Sequence, residues 1–171
     1  MKKLLILSLA VLSFAACNQE AKQPVQGQSV QQSAQQVVPQ RPLQILSIDS
    51  YNFTDKITQK PVVVAFMAGF CGWCKKMVPY MDDLAGKVPS AQADVIIAFM
   101  DEDSSGLVNL EPVKATKNID IYYGARPLME EYDVRGFPTI MLFKDGEQVE
   151  TWNGYSPAHV DNILATLKDL K

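Results

Sequence analysis

Two cysteines separated by two residues are the part of this chain best suited to chemistry. Cys71 and Cys74 enclose Gly72 and Trp73. Residues three apart on a helix have Cβ atoms about 5–6 Å apart, so a small adjustment brings two sulfurs into bonding distance. At the first turn of a helix, unpaired N–H groups and the positive end of the helix dipole favour a thiolate. The spacing therefore predicts reversible dithiol–disulfide chemistry, provided that a helix begins at the pair.

The segments on either side of the cysteines predict such a position. Val62–Met67 is apolar, uncharged, short and rich in β-branched residues, which is typical of a buried strand. After the pair, apolar residues recur at helical spacing, namely Met77, Met81, Leu84 and Ala85. The cysteines are thus predicted to lie where a buried strand is followed by a helix.

A Cys-x-x-Cys pair has three other common uses besides thiol–disulfide exchange. A zinc site needs about four ligands, and besides the pair the chain offers only Cys17 and His159, so we expect no metal. Haem attachment requires a histidine directly after the second cysteine, where this chain has Lys75. A structural disulfide stays open, although so short a loop gains little chain entropy. Exchange is the favoured interpretation.

The N-terminus has the pattern of an export signal. Lys2 and Lys3 precede an almost wholly apolar run, residues 4–16, that ends in small residues. This pattern predicts a secretory signal peptide over residues 1–16. Cys17 follows directly and resembles the acylated cysteine of bacterial lipoproteins, with ordinary secretion and a leftover thiol as the alternative. Asn18 favours the outer membrane under enteric-type sorting.

Composition divides the rest of the chain at residue 42. Nine of the 25 residues in 18–42 are Gln and charge is sparse, so we predict a flexible linker over 17–42. The resemblance of Cys17 to a lipoprotein cysteine implies that this linker is lipid-anchored. Residues 43–171 are enough for one domain with its own core. The formal charge is −3, and it becomes −5 without the two lysines of residues 1–16. An acidic balance without a basic cluster predicts no nucleic-acid partner.

Periodicity and turn residues predict the remaining elements of the domain. Four further strands are predicted, at 43–48, 94–100, 139–143 and 148–152, the last two joined as a hairpin through Asp145-Gly146. Three further helices are predicted, at 51–57, at 127–132 and from Ser156-Pro157 onward. The last one buries Val160, Ile163, Leu164 and Leu167, with His159 on the surface. Residues 101–125 are predicted to contain at most a short helix.

Several separated motifs together resemble thioredoxin, and the resemblance covers essentially all of 43–171. The motifs are Cys71-Gly72-Trp73-Cys74-Lys75, Pro79, Met81-Asp82-Asp83-Leu84-Ala85, Tyr132-Asp133-Val134-Arg135-Gly136-Phe137-Pro138-Thr139, Leu142-Phe143-Lys144-Asp145-Gly146 and Gly154. The resemblance implies an α/β thioredoxin fold. Its central mixed β-sheet would have four or five strands and be flanked by helices on both faces.

The resemblance also implies roles for the cysteines. Cys71 corresponds to the attacking cysteine and Cys74 to the resolving one, and their redox-active disulfide is the only redox group expected, without a further cofactor. Thioredoxin keeps a buried aspartate six residues before the first cysteine, where this chain has Ala65. The base that acts on Cys74 is therefore unassigned.

Four residues are implied to meet the substrate. Pro138 corresponds to the cis-proline that lies against the active site, with an ordinary trans turn proline as the alternative. Phe137, just before it, would present main-chain polar groups to an extended substrate peptide. Gly72 and Trp73, inside the motif, would contact partners from an exposed position.

The implied function is a periplasmic thiol–disulfide oxidoreductase that is lipid-anchored, with the outer membrane of a Gram-negative bacterium favoured. We expect it to reduce disulfides of exported proteins, such as apocytochromes or oxidised thiols. A membrane thiol electron donor of the DsbD or CcdA type would reduce it again. The alternatives are a disulfide oxidase or isomerase of the same fold, or a non-catalytic thioredoxin-like binding module.

Overall fold

A mixed sheet of six strands forms the centre of residues 43–170, the part of the chain that the computed structural model describes. The strands are β1 Ile45–Ser47, β2 Val62–Met67, β3 Asp94–Phe99, β4 Asp120–Tyr123, β5 Thr139–Lys144 and β6 Glu147–Asn153. Their order is β1-β4-β3-β2-β5-β6. The first four run parallel, and β5 and β6 complete the sheet as an antiparallel hairpin.

Helices cover both faces of the sheet, as predicted. They are α1 Ser50–Gln59, α2 Gly72–Lys87, α3 Glu111–Lys114, α4 Arg126–Glu131 and α5 His159–Asp169, with a 3-10 turn at Leu107–Asn109. Because side chains alternate along a strand, β2 serves two cores. Val63, Ala65 and Met67 face the core that α2, α3 and α5 cover, whereas Val62, Val64 and Phe66 face the core beneath α1 and α4.

The predicted signal peptide 1–16, Cys17 and the linker of residues 17–42 lie outside the described residues. Within the described part, no helix is long and apolar enough to cross a membrane.

The α/β class is confirmed, but the prediction of four or five strands is wrong by one. The additional strand is β4, which lies inside the segment 101–125 that was predicted to hold at most a short helix. It pairs in parallel with β1 on one side and β3 on the other. Ile121 and Tyr122 are buried, and their β-branched and aromatic side chains suit a strand. Four residues are too few for a periodicity signal.

Asp82 of α2 fixes the chain that leads into β4. One oxygen of its carboxylate accepts the backbone N–H groups of Lys117, Asn118 and Ile119 at 2.9, 2.7 and 3.1 Å. Asp82 thus connects α2 to the residues that lead into β4, the additional strand.

The predicted hairpin is confirmed, and the start of the last helix is not. Asp145 and Gly146 connect β5 to β6 with φ of 54° and 84°, the left-handed values that a two-residue hairpin turn requires. The helix α5 begins at His159, not at Ser156-Pro157, because those residues form a preceding turn in which Ser156 O accepts the His159 N–H at 3.1 Å.

Candidate redox site

Cys71 is the N-cap residue of α2, so the prediction that a helix begins at the pair is confirmed. Its backbone is extended, with φ −77° and ψ 115°, and its Sγ accepts the backbone N–H of Cys74 at 3.2 Å. The Cys71 carbonyl accepts the N–H of Lys75 at 3.1 Å, which starts the helical ladder. An anionic sulfur at this place receives an N–H that would otherwise lack a partner and meets the positive end of the helix dipole.

Cys74 lies behind Cys71 and is fully buried. Burial is the main cause that raises the pKa of its thiol to about 12, and the hydrogen bond and charge of Cys71 raise it further, against a backbone hydrogen bond from Ala68. Cys74 is therefore a neutral thiol near pH 7. Cys71 and Cys74 are both free thiols in this structure. Cys71 is half-buried, whereas Cys74 is buried.

The link between β2 and α2 is held by Asp101, a residue not predicted to belong to the site. Its Oδ2 accepts the Gly69 N–H at 2.8 Å, and Ala68 O accepts the Cys71 N–H at 3.0 Å. A Cβ on Gly69 would lie 2.7 Å from Asp101 Oδ1, so a side chain there would force the Asp101 carboxylate to shift. The available signal was an acid just after β3, because parallel strands end at the same edge of the sheet.

The proline loop lies against Cys71. The Phe137–Pro138 peptide bond is cis, as the resemblance implies, and Pro138 is buried while Phe137 is half-buried. The Cys71 Sγ–H points toward Phe137 O, with the two atoms 3.8 Å apart. On the other side of the loop, Pro138 O accepts the Gly154 N–H at 2.8 Å. The structure therefore brings Phe137 and Pro138, both predicted to contact the substrate, to the Cys71 sulfur.

Exposed aromatic rings flank Cys71. Phe70 is 76% exposed and Trp73 is 56% exposed, and a Cβ on Gly72 would meet no atom within 4 Å. The Trp73 ring stacks on Tyr155, with centroids 5.5 Å apart and planes 26° apart. The Nζ of Lys76 lies 4.4 Å from the Trp73 centroid. The expected exposure of Trp73 is confirmed, and two contacts hold its ring.

Tyr80 extends this aromatic group along α2. Its ring meets Tyr155 edge to face at a centroid distance of 6.1 Å, and a hydrogen bond with Tyr80 raises the pKa of Tyr155. Trp73, Lys76 and Tyr80 share one helix face through their three- and seven-residue spacing, a signal that the sequence contains. Tyr155 lies far away in the sequence, and no local pattern predicts its place.

The sheet beneath the cysteines is apolar. Ala65, which stands where thioredoxin has a buried aspartate, is fully buried and pairs with Ile97 of β3 and Ile140 of β5. No acid replaces that aspartate at these paired positions.

His159 is half-buried, so its side chain is less exposed than predicted. Its Nε2 lies 3.2 Å from Gly154 O, and its Nδ1 is buried without a hydrogen-bond partner. The Gly154 carbonyl, in the segment before α5, contacts the ring, which the helical periodicity did not indicate. Within residues 43–170, no three His, Cys, Asp or Glu side chains are grouped as ligands for a metal.

The family model described as "Thioredoxin" matches residues 44–169. The chain belongs to the thioredoxin family of thiol–disulfide oxidoreductases, and it carries the family's Cys-x-x-Cys spacing at Cys71 and Cys74. The "Protein disulfide isomerase-like 1-1" of Arabidopsis thaliana is 32% identical over 126 residues, which are 72% of this chain and 21% of that protein. The chain thus spans about a fifth of the length of the disulfide isomerases that it matches. A "Thioredoxin" of Chlamydia trachomatis is 34% identical over 103 residues, 60% of this chain and 78% of that protein.

Solved structures of low sequence identity share the fold. A putative thiol:disulfide interchange protein DsbE from Chlorobium tepidum has a TM-score of 0.55 at 22% identity, covering 66% of this chain and 84% of that one. The exposed lipoprotein thioredoxin Etrx1 from Streptococcus pneumoniae has a TM-score of 0.55 at 24% identity, covering 68% and 89%. These comparisons confirm the thioredoxin fold that the motifs predicted.

Proposed function

We propose that this protein reduces disulfides in exported proteins through Cys71 and Cys74. The observation that carries the proposal is the pairing of two unlike thiols. Cys71 caps α2 with a sulfur that accepts the Cys74 N–H, whereas the Cys74 thiol is enclosed and stays protonated. One sulfur is thus prepared to attack, and the other is withheld until the first has reacted.

The reaction is two successive thiol–disulfide exchanges. The Cys71 thiolate attacks one sulfur of the substrate disulfide; a Cys71–substrate bond forms, and the other substrate sulfur leaves as a thiolate that takes up a proton. Cys74 then loses its proton and attacks Cys71 Sγ. The Cys71–Cys74 bond forms, and the second substrate sulfur leaves and is protonated. Two electrons and two protons pass to the substrate, and the enzyme is left oxidised.

The first step prepares the second through the Cys74 pKa. Two of the causes that raise this pKa are the hydrogen bond and the charge of Cys71. Both are lost once Cys71 Sγ is bonded to the substrate sulfur and carries no charge. The proton of Cys74 therefore leaves more easily in the mixed disulfide than in the free enzyme, although Ala65 supplies no base beneath it.

The proline loop would hold the substrate chain beside the reacting sulfur. Phe137 O lies 3.8 Å from Cys71 Sγ, within reach of a substrate backbone laid alongside in an extended conformation. Trp73 and the open side of Gly72 would then meet residues next to the substrate cysteine.

We place this reaction in the periplasm of a Gram-negative bacterium, with the protein anchored through a lipid on Cys17, in the outer membrane in preference to the inner. The signal pattern of residues 1–16 supports export, and the cysteine after it supports acylation. The likeness to a thiol:disulfide interchange protein and to an exposed lipoprotein thioredoxin is in keeping with a location outside the cytoplasm. A membrane thiol electron donor of the DsbD or CcdA type would return the pair to the dithiol.

Two single substitutions test the mechanism. Cys71→Ser is expected to abolish the reduction of bis(2-hydroxyethyl) disulfide, because no attacking sulfur remains. Cys74→Ser is expected to accumulate mixed disulfides with exported proteins, which non-reducing electrophoresis separates. Full activity of Cys71→Ser would rule out the mechanism. A wild-type chain without any disulfide-exchange activity would favour the non-catalytic binding module.

A disulfide oxidase or isomerase is the second candidate, and the likeness to protein disulfide-isomerases favours the isomerase. The reduction potential separates these directions. Equilibration with defined dithiothreitol or glutathione ratios is expected to give a reduction potential of about −270 mV for a reductase. A reduction potential of about −180 mV would indicate an isomerase, and one of about −120 mV would indicate an oxidase.

A further inference from the structure

The residues Gly154 and Tyr155 contact both sides of the candidate redox site. Gly154 donates its N–H to Pro138 O at 2.8 Å, and the next residue, Tyr155, stacks its ring on Trp73. Gly154 has a φ of 76°, a left-handed conformation that glycine adopts without strain. The chain turns here so that one short segment spans from the cis-proline loop to the turn that contains the cysteines.

The Trp73 ring is held in place although it is exposed. Tyr155 lies against it at 5.5 Å between centroids, and the Lys76 ammonium lies 4.4 Å from its centroid. Stacked aromatic pairs and cations over an indole are both attractive contacts. Tyr80 packs its ring against Tyr155 at 6.1 Å and so supports the stack from α2. Despite these contacts, 56% of the Trp73 surface stays exposed.

The exposed ring lies where a polypeptide substrate would reach and a small disulfide would not. Trp73 lies two residues after Cys71, and Phe70, which is also exposed, directly precedes Cys71. A small disulfide needs only the Cys71 sulfur, whereas a protein disulfide brings the chain on either side of its cysteine across these rings. A ring held in one orientation offers its apolar surface without first losing conformational entropy.

We propose that Tyr155 is a positioning residue that makes the enzyme selective for protein disulfides by holding Trp73 against the substrate chain. The partner is an extended polypeptide segment with apolar side chains next to its cysteine. This inference rests on the proposed function, because it requires that Cys71 exchange disulfides. It assigns to Tyr155 no part in the chemistry of the sulfurs.

The test compares two disulfide substrates with the full chain. In Tyr155→Ala, the KM for insulin is expected to rise about threefold to tenfold, the range that corresponds to losing one aromatic pair, with kcat unchanged. The rate with bis(2-hydroxyethyl) disulfide is expected to stay the same. Tyr155→Leu, which keeps an apolar side chain without a ring, is expected to show the same rise if the alanine variant does not fold. Tyr155→Phe is expected to restore the insulin KM.

A fluorescence readout reports on Trp73 itself. In a Trp152→Phe background, the emission of Trp73 is expected to shift to longer wavelength in Tyr155→Ala, since the ring becomes more exposed. Tyr51→Ala serves as the matched control, because Tyr51 is an 80% exposed tyrosine on α1. It is expected to leave both substrates and the emission unchanged.

Two results would overturn the inference. One is an unchanged insulin KM in both Tyr155→Ala and Tyr155→Leu, and the other is an equal loss of rate with both substrates, which would mean a general disturbance of the site. Failure of the proposed function would look different. In that case the wild-type chain would not reduce the small disulfide at all.

Discussion

At the scale of single residues, the two cysteines differ because of where the backbone places them. Cys71 lies at the last non-helical position before α2, and Cys74 lies one turn deeper against the sheet. The sequence predicts this difference, since it follows from a buried strand and an amphipathic helix on either side of the motif. How far the pKa of Cys74 is raised depends on its burial against the sheet and on its contact with Cys71. The spacing of the two cysteines alone does not give this.

The raised pKa of Cys74 makes the stability of the reduced protein fall at alkaline pH. Below its unfolded value of 9.0, Cys74 is protonated in both the folded and the unfolded state and contributes no pH dependence. From pH 9 to about pH 12, the unfolded chain releases a proton that the folded chain keeps. The free energy of unfolding should therefore fall by up to about 1.4 kcal/mol per pH unit from this group.

Urea unfolding between pH 8 and pH 10.5 measures this effect, with wild type and Cys74→Ser compared under a phosphine reductant. The wild-type free energy should decline more steeply above about pH 9. Parallel curves for the two proteins would contradict the assignment of the shift to Cys74.

The residues missed by sequence reasoning share one property: they act across large sequence separations. Asp101 binds Gly69, and Tyr155 stacks on Trp73. An acid after a strand or a tyrosine after a glycine is common on any surface, so neither is distinctive until the fold is known. By contrast, Pro138 was predicted to lie beside the cysteines because its motif resembles that of the family.

At the scale of elements, β2 and β4 show what a sequence pattern can predict. The bounds of β2 were predicted correctly. A run of six apolar residues, rich in β-branched side chains and without charge, is typical of a buried strand and too short for most helices. The strand β4 was missed because its four residues stand among polar ones. Its place in the sheet depends on parallel pairing with β1 and β3, which are distant in the sequence, and Asp82 of α2 holds the residues just before it.

Removing the Asp82 carboxylate should loosen β4 without unfolding α2. Asp82→Ala deprives three backbone N–H groups of their acceptor and is expected to lower the free energy of unfolding by about 1–3 kcal/mol. Asp83→Ala is the matched control, because Asp83 is exposed and forms an ion pair with Lys87 in the same helix. It is expected to cost at most about 0.5 kcal/mol.

Urea unfolding gives both values, and amide hydrogen exchange shows where the change lies. Faster exchange in Asp82→Ala is expected at Ile119 and across β4. Equal losses of stability in the two variants would mean that the β4 contact contributes nothing special.

At the scale of the whole molecule, the proposed anchor depends on one sulfur outside the described residues. If Cys17 is acylated, wild-type protein expressed in a Gram-negative host should incorporate labelled palmitate and sediment with the membranes. Cys17→Ser should incorporate none and appear in the soluble fraction, still able to reduce bis(2-hydroxyethyl) disulfide. Membrane sedimentation of Cys17→Ser equal to that of the wild type would contradict lipid anchoring at this cysteine.

The parallel course of β1 and β2 also determines where Cys71 lies relative to the first strand of the sheet. Both strands start at one end of the sheet, and Cys71 follows the finish of β2. The chain therefore enters β1 at the end of the sheet opposite Cys71. If the proposed reaction takes place, a substrate would therefore meet Cys71 at the end of the sheet away from the one where the chain enters β1.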